Sequence, residues 1–465
     1  MKQLIFEKVR IEKAVAEGQC IAYADGKTIF VAHAAPGDIA DVRIIKKQKG
    51  ILFGKITQLH EPGPDRIKPR CEHFGICGGC KWQHVDYRAQ LDFKAKQVRE
   101  NFDKIGKLDY PEPLPILGPD NQFNYRNRLD FGFTKQRFLL EAEMGSDNPG
   151  PLEGLGFHVP GRFDKILDVK SCHLQDDLMN SIRLFAKQLA LDFDFTFYDL
   201  KNHGGVMRSL IIRNSSLGEW MVIVAFGEEN ERISEYLEAL KNQFPQITSL
   251  MYAINTKKND TLYDQEILCY HGKDHILEKI GDLTFKVGPK SFFQTNSAQA
   301  EVLYNTARDF ADLQGDELVY DMYTGTGSIA LYVAEKAKKV VGVEYVEMAI
   351  EDAWINARHN KIENVQFYAG DMKDMLTDEF VAKEGKPDVI ITDPPRAGMH
   401  PDVVAMLLRL QAPKIVYVSC NPATQARDLA LMKDVYQIDK VQPVDMFPHT
   451  HHVENVVLLT LKHAG

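Results

Sequence analysis

The sequence predicts a multidomain α/β protein in three parts: a small N-terminal antiparallel β-barrel, a central α+β domain with a cysteine segment, and a C-terminal doubly wound parallel sheet. Three observations predict it. Short β-type runs alternate with Gly and Asp turns up to about residue 60, strands alternate with helical stretches after about residue 285, and Pro- and Gly-rich breaks separate these textures. The parts are expected at 1–65, 66–284 and 285–465.

In the first part Gln19-Cys20-Ile21-Ala22-Tyr23, Thr28-Ile29-Phe30-Val31 and Ala40-Asp41-Val42-Arg43-Ile44-Ile45 read as strands, with a turn at Asp25-Gly26. Glu61-Pro62-Gly63-Pro64-Asp65 continues neither strand nor helix and closes the barrel. In the second part Leu91, Ala95, Val98, Phe102 and Ile105 step by four and three up to Gly106, which predicts an amphipathic helix over 88–106. Pro111, Pro113, Pro115 and Pro119 then predict a stiff connector. Residues 126–133, 207–213 and 220–226 have strand character, and Ser215-Ser216-Leu217-Gly218 reads as a hairpin loop. In the third part strands are expected at 318–320, 339–343, 365–368, 388–392 and 415–418. A final run, 456–461, has no room for another crossover helix and reads as the second arm of an antiparallel hairpin.

With 465 residues, 44% hydrophobic and 26% charged, the chain has the composition of a globular protein with several cores and not of a disordered or fibrous one. No stretch is long and apolar enough to span a bilayer, and the N-terminus lacks the apolar segment of a secretory signal, so a cytoplasmic protein without a membrane partner is expected. Seven cysteines at uneven spacing argue against a disulfide framework. The net charge of −9 does not itself suggest a nucleic-acid partner. Lys46, Lys47, Lys49, Lys55, Arg66, Lys68 and Arg70 do cluster, however, and on charge alone read equally as a grip on RNA or as a solvated surface.

Three predicted strands of the C-terminal part each deliver a chemical group at their C-terminal ends, and in an open parallel sheet those ends share the edge where ligands bind. The run to Asp321 enters Tyr323-Thr324-Gly325-Thr326-Gly327-Ser328, a turn on which backbone can approach a ligand closely. Glu344, ending the next strand, is suited to accept hydrogen bonds from ribose hydroxyls, and the absence of the full G-x-G-x-x-G pattern favours S-adenosylmethionine over NAD. Asp393-Pro394-Pro395-Arg396 fixes a carboxylate after a buried strand, a rigid arrangement suited to a flat base. Cys420, after 414–418 and before Asn421-Pro422, is the nucleophile candidate. Because the last strand should run antiparallel, Glu454 at its start reaches the same edge and can meet Cys420; His449, His451 and His452 nearby read as solvated or structural rather than as metal ligands. Separately, Cys71, Cys77, Cys80 and Cys172 form a candidate four-thiolate set that suits zinc or an iron–sulfur cluster.

These residues resemble the RNA (uracil-5-)-methyltransferase family over nearly the whole chain, and specifically its iron–sulfur-containing members that modify 23S ribosomal RNA. The resemblance implies that the barrel is a TRAM domain, an RNA-binding module of oligonucleotide-binding type, and that the C-terminal part is a Rossmann-like S-adenosylmethionine-dependent methyltransferase domain. It implies a [4Fe–4S] cluster on Cys71, Cys77, Cys80 and Cys172, with zinc the alternative, and the helix 88–106 packed on the catalytic domain. Phe292-Phe293-Gln294-Thr295-Asn296 matches the family's F-F-Q-x-N segment, which implies a cofactor or base contact for Gln294. Tyr323, Gly325, Ser328, Glu344, Asp371 and Asp393 fall at cofactor-site positions, Cys420 at the nucleophile and Glu454 at the base; Thr324 stands where many relatives have cysteine, and Ser328 and Asp371 where some carry Asn.

The expected activity is therefore methylation of C5 of a uridine in RNA, with ribosomal RNA first and transfer RNA second as partner and no obligate protein partner. Tyr125, Arg126 and Arg128 are candidate RNA contacts. A cytosine-5 RNA methyltransferase shares the thiol addition, but no second cysteine lies near Asp393; an RNA-binding assembly factor without catalysis would not need Cys420 and Glu454 together.

Overall fold

The structure is a computed structural model that describes residues 4–141, 143–146 and 149–462. Strands Ile5–Ala14, Gln19–Ala24, Lys27–Ala32, Ile39–Gln48 and Ile51–Glu61 close a barrel in which the third strand pairs with the fifth and the first with the fourth. Alternation sends Ile11, Ala22, Ile29, Val31 and Val42 inward to full burial. Asp25 and Gly26 both have positive φ, the geometry of a two-residue hairpin turn that matches strand twist. The break after Glu61 is fixed by one buried carboxylate: Asp38 accepts hydrogen bonds from the Ala35 and Gly63 N–H groups and an ion pair from Arg66 at 2.6 Å.

The chain forms two compact units, one of residues 1–69, 81–120 and 298–465, the other of 70–80 and 121–297. Residues 81–120 thus leave the central part in which the sequence placed them, and residues 285–297 leave the C-terminal one. In the second unit a seven-stranded sheet is antiparallel except where Trp220–Phe226 runs parallel to Ser249–Ile254. Strands Arg128–Thr134, Met207–Asn214 and Trp220–Phe226 and the loop at Ser215–Gly218 lie where their patterns predict. Helices Asp177–Asp192 and Ile233–Gln243 pack Ile182, Ala186, Tyr236 and Leu240 against Leu210, Ile212, Val222 and Val224 of this sheet.

The first unit carries the doubly wound sheet. In spatial order its strands are Val365–Ala369, Lys339–Glu344, Leu318–Met322, Val389–Thr392, Lys414–Ser419, Glu454–Leu461 and Tyr436–Val444; the first five are parallel, and Glu454–Leu461 alone runs antiparallel, to Lys414–Ser419 on one side and to its hairpin partner Tyr436–Val444 on the other. Central strands are fully buried on both faces, which is why they read as continuous apolar runs.

The helix Tyr87–Asn101 belongs to this unit, capped by Asp86, whose carboxylate accepts from the Arg88 N–H at 3.0 Å. Val98 and Phe102 join the core with Ala426 and Leu429 of the helix Pro422–Met432, each burial contributing about 1.5–3 kcal/mol. The buried face runs through Gln90, Lys94, Val98 and Phe102 rather than through Leu91 and Ala95, and Ile105 is 49% exposed, because a π-type turn over Phe102–Gly106 replaces the last helical turn. The proline-rich connector hydrogen-bonds along the last hairpin, with the Leu114 N–H on Val441 O at 2.9 Å and the Leu117 N–H on Pro443 O at 3.1 Å.

Lys94 and Asp445 form an ion pair of 2.5 Å with both side chains fully buried. Removing one partner strands the other charge, so Lys94→Met is expected to cost about 3–5 kcal/mol, read from the denaturant midpoint of unfolding.

Candidate active site

The C-terminal edge of the doubly wound sheet gathers six of the residues expected there, each at the end of a strand. Tyr323 and Gly325 follow Leu318–Met322, Glu344 ends Lys339–Glu344, Asp371 follows Val365–Ala369, Asp393 follows Val389–Thr392, and Cys420 follows Lys414–Ser419. Glu454 joins them from the opposite chain direction as the first residue of Glu454–Leu461. Ser419 pairs with Asn455 and Val418 with Val456, so the next step of the same antiparallel register sets Cys420 opposite Glu454. Gln425, from the helix after Cys420, locks this pairing: its amide donates to Tyr417 O and Asn455 O and accepts from Asn455 Nδ2 at 2.8 Å.

The glycine turn is built as its sequence requires. Tyr323, Gly325 and Gly327 all have positive φ, and a Cβ on Gly325 would meet nothing within 4 Å, so that position opens onto free space. A Cβ on Gly327 would lie 3.0 Å from the Ala353 side chain, so this glycine serves close helix packing instead. Glu344 accepts the Gly325 N–H at 3.2 Å and the Val346 N–H at 2.9 Å, which fixes its carboxylate beside the turn. The Ser328 hydroxyl is engaged with Tyr304 OH at 3.0 Å, and Asp371 caps the short helix Met372–Met375 through the Lys373 N–H.

Electrostatics divide the edge. Burial pushes the Glu454 carboxyl up to about 8, Asp393 adding to it and Arg396 opposing it. Burial alone pushes Asp393 up to about 7. Burial, then the negative charges of Glu454 and Asp393, push the Cys420 thiol up to about 12 against the pull of Arg396. Arg396, whose charge acts on both Cys420 and Glu454, is held by other residues: its carbonyl accepts from Asn421 Nδ2 at 3.1 Å and Thr424 Oγ1 at 3.3 Å, and its guanidinium lies 2.6 Å from His452 Nδ1.

Arg396, His452 and Asp321 were named in the sequence only beside other groups and given no role in the site. Asp321 is fully buried, takes hydrogen bonds from Thr324 Oγ1 and the Ala330 N–H on one oxygen, has no partner on the other, and is pushed up to about 7 by burial. Its place at the end of the strand that enters the glycine turn was the signal that could have found it.

Gln294 lies in the second unit, where its carbonyl accepts from Asn127 Nδ2 at 3.1 Å and the neighbouring Thr295 carbonyl from the Asn127 N–H at 2.9 Å. Arg126 and Arg128 are in that unit too, and Arg128 forms a two-point pair with Asp130 at 3.0 and 3.1 Å. Cys71, Cys77, Cys80 and Cys172 also share it. His73 accepts the Lys170 N–H at 2.9 Å, which ties the loop of the first three to the approach of the fourth. Burial raises Cys172 to about 11, and the Cys77 and Cys71 sulfurs add to the rise. Zinc held by four thiolates needs every sulfur about 2.3 Å from one centre, whereas a [4Fe–4S] cluster takes one thiolate on each iron. Among the described residues no group of three or more His, Cys, Asp or Glu side chains is arranged to hold a single metal ion. Among the described residues no helix is long and apolar enough to cross a membrane.

Fold and edge chemistry define an enzyme of the nucleic-acid methyltransferase class, and comparison with known proteins narrows this. The family model described as tRNA (Uracil-5-)-methyltransferase matches residues 278–462, and that of the TRAM domain residues 7–57. A Bacteroides thetaiotaomicron protein named an uncharacterized RNA methyltransferase is 52% identical over 96% of this chain and 100% of its own length; one of the same name from Porphyromonas gingivalis is 51% identical over 97% and 99%. Among solved structures, the Pyrococcus abyssi tRNA (uracil-54, C5)-methyltransferase in complex with S-adenosyl-L-homocysteine is similar with a TM-score of 0.75 and 27% identity, over 97% of this chain and 100% of that one. This chain belongs to the RNA (uracil-5-)-methyltransferase family.

The raised Glu454 value has a stability consequence. Between its ordinary 4.5 and about 8 the folded protein keeps a proton that the unfolded chain releases, so this contribution is full below 4.5 and lost as pH rises through about 8. Melting temperatures across that window should fall more steeply with pH in wild type than in Glu454→Gln.

Proposed function

We propose that this protein methylates C5 of a uridine in RNA through a covalent Cys420 adduct, with Glu454 as the base. The observation that carries the reading is the strand register that sets a thiol and a buried carboxyl opposite each other on a ligand-binding edge. Cys420, as thiolate, adds to C6 of the uracil and leaves C5 as an enolate carbon. S-adenosylmethionine, when bound, supplies the methyl group as an electrophile on a sulfonium centre. Glu454 takes the C5 proton, after which the Cys420–C6 bond breaks and the C5–C6 double bond re-forms. Arg396 is the positive group whose charge reaches both residues, placed to favour the thiolate and the anionic adduct. Asp393 holds the base or cofactor in register.

The edge suits a cationic cofactor. Glu344, Asp371 and Asp393 border it, and the space over Gly325 admits a ligand against backbone. Tyr323, Gly325, Ser328, Glu344, Asp371 and Asp393 are assigned to hold it. The target base must leave any stacked helix to reach Cys420. Ribosomal RNA is the first reading, through the four-cysteine resemblance; the likeness to the Pyrococcus abyssi enzyme favours transfer RNA as the second. The enzyme is assigned to the cytoplasm.

RNA carrying 5-fluorouridine should trap a covalent adduct with wild type and none with Cys420→Ala, since fluorine cannot leave as a proton. Glu454→Gln should accumulate adduct on ordinary uridine and turn over about 10²–10⁴-fold more slowly. Turnover of Glu454→Gln at the wild-type rate would remove it from the mechanism. Labelled methyl transfer to total RNA, followed by nucleoside analysis, separates 5-methyluridine from 5-methylcytidine and from no product.

The same reading assigns a [4Fe–4S] cluster to Cys71, Cys77, Cys80 and Cys172, supported by the closeness of the Cys71 and Cys77 sulfurs to Cys172, with no catalytic step routed through it. Anaerobically purified protein should contain iron and show a brown absorbance lost in Cys77→Ser; zinc in its place would overturn the assignment.

A further inference from the structure

We propose that Tyr87, Gln90 and Lys94 of the helix Tyr87–Asn101 are positioning residues for the general base, holding the segment 445–453 in the single backbone path that presents Glu454 to C5 of the substrate. The inference rests on the reading of Glu454 as proton acceptor.

Glu454 pairs with Val444 of the neighbouring strand, so the reversal from 445 to 453 sets where its carboxyl stands. That reversal is gripped at three points by one helix. At its start, Asp445 takes Lys94 Nζ on one carboxylate oxygen at 2.5 Å and Tyr87 OH on the other at 2.9 Å. Lys94 also donates to Phe447 O at 3.1 Å. Deeper in, the His449 N–H donates to Gln90 Oε1 at 2.9 Å, while Gln90 Nε2 lies 3.2 Å from His449 Nδ1. The His449 carbonyl accepts the N–H groups of Lys81 and Trp82 at 2.8 and 3.0 Å, and Gln90 secures that turn through Trp82 O and Val85 O.

His449 has φ of 65°, a left-handed conformation that strains a non-glycine residue and persists only when its surroundings hold it. Gln90, Lys94 and Asp445 are fully buried. A buried ion pair is a poor device for stability alone, because apolar side chains of similar volume do as well or better. The same helix uses such residues, Val98 and Phe102, where it meets the core. Polar groups appear where it meets the reversal, and what they add is a defined backbone path. Proton transfer needs that definition, since a misplacement of about 1 Å can slow a step about 10²-fold.

The test separates the two chemical steps in the full-length protein. Gln90→Met and the milder Tyr87→Phe, which removes only the hydroxyl on Asp445, are measured for adduct formation on 5-fluorouridine RNA and for adduct resolution on ordinary uridine RNA. Formation, which needs Cys420, should stay within about twofold of wild type. Resolution, which needs Glu454, should slow about tenfold or more in Gln90→Met and measurably in Tyr87→Phe, with a larger isotope effect from 5-deuterated uridine. Equal loss of both steps would mark a merely structural role and overturn the inference, as would unchanged resolution in Tyr87→Phe if Gln90→Met fails to fold. Absence of any adduct with wild type would overturn the reading of the site itself, a different result from adduct formation with unaltered resolution.

Discussion

A parallel sheet can present at its ligand edge only groups that follow the C-terminal ends of its strands. A catalytic pair that includes the beginning of a strand therefore needs one strand to run the other way. Here that is Glu454–Leu461, and the site depends on its antiparallel pairing with Lys414–Ser419. A slip of one residue would turn the Glu454 side chain to the opposite face, so register and chemistry are a single constraint. Gln425 guards it with an amide on both strands, and the burial of Val456, Val457 and Leu459 makes any other register costly.

This pairing concentrates acidity. Glu454, Asp393 and Asp321 are all drawn toward holding their protons, and the Cys420 thiol with them. Such a collection would be self-repelling if fully ionised. Desolvation keeps the resting site close to neutral, and Arg396, held by the turn after Cys420 and by His452, balances charge as it forms. Restraint at rest and readiness for a cationic cofactor come from the same side chains.

Much of this was legible in the residues. The strands of the doubly wound sheet announced themselves as apolar runs because they are buried on both faces, and the lack of space for a crossover helix after 456–461 was enough to reverse the last strand and carry Glu454 to the edge. Polar residues that behave as core were not legible. Periodicity counts Gln90 and Lys94 as surface, so the apolar face was read through Leu91 and Ala95, although their partners at His449 and Asp445 lie some 350 positions along the chain. The division of the chain into units left no local signature, because it depends on long-range contacts: the family resemblance alone put the helix 88–106 on the catalytic domain, and Gln294, close in sequence to the strands of that domain, went with the second unit. Arg396 was in plain view beside Asp393, but a charge read one residue at a time gives no hint that it acts on the Cys420 thiol and the Glu454 carboxyl at once.

The path of the chain passes from one unit to the other at 69/70, 80/81, 120/121 and 297/298. No single cut can therefore release either unit whole. A fragment beginning near 298 would retain the glycine turn, the thiol and the acid while discarding the helix whose side chains brace that acid. Such a protein cannot be assembled by exchange of end-to-end modules: insertions into either unit are tolerable histories, whereas a catalytic half severed from residues 81–120 would keep its reactive groups and lose the frame that aims them.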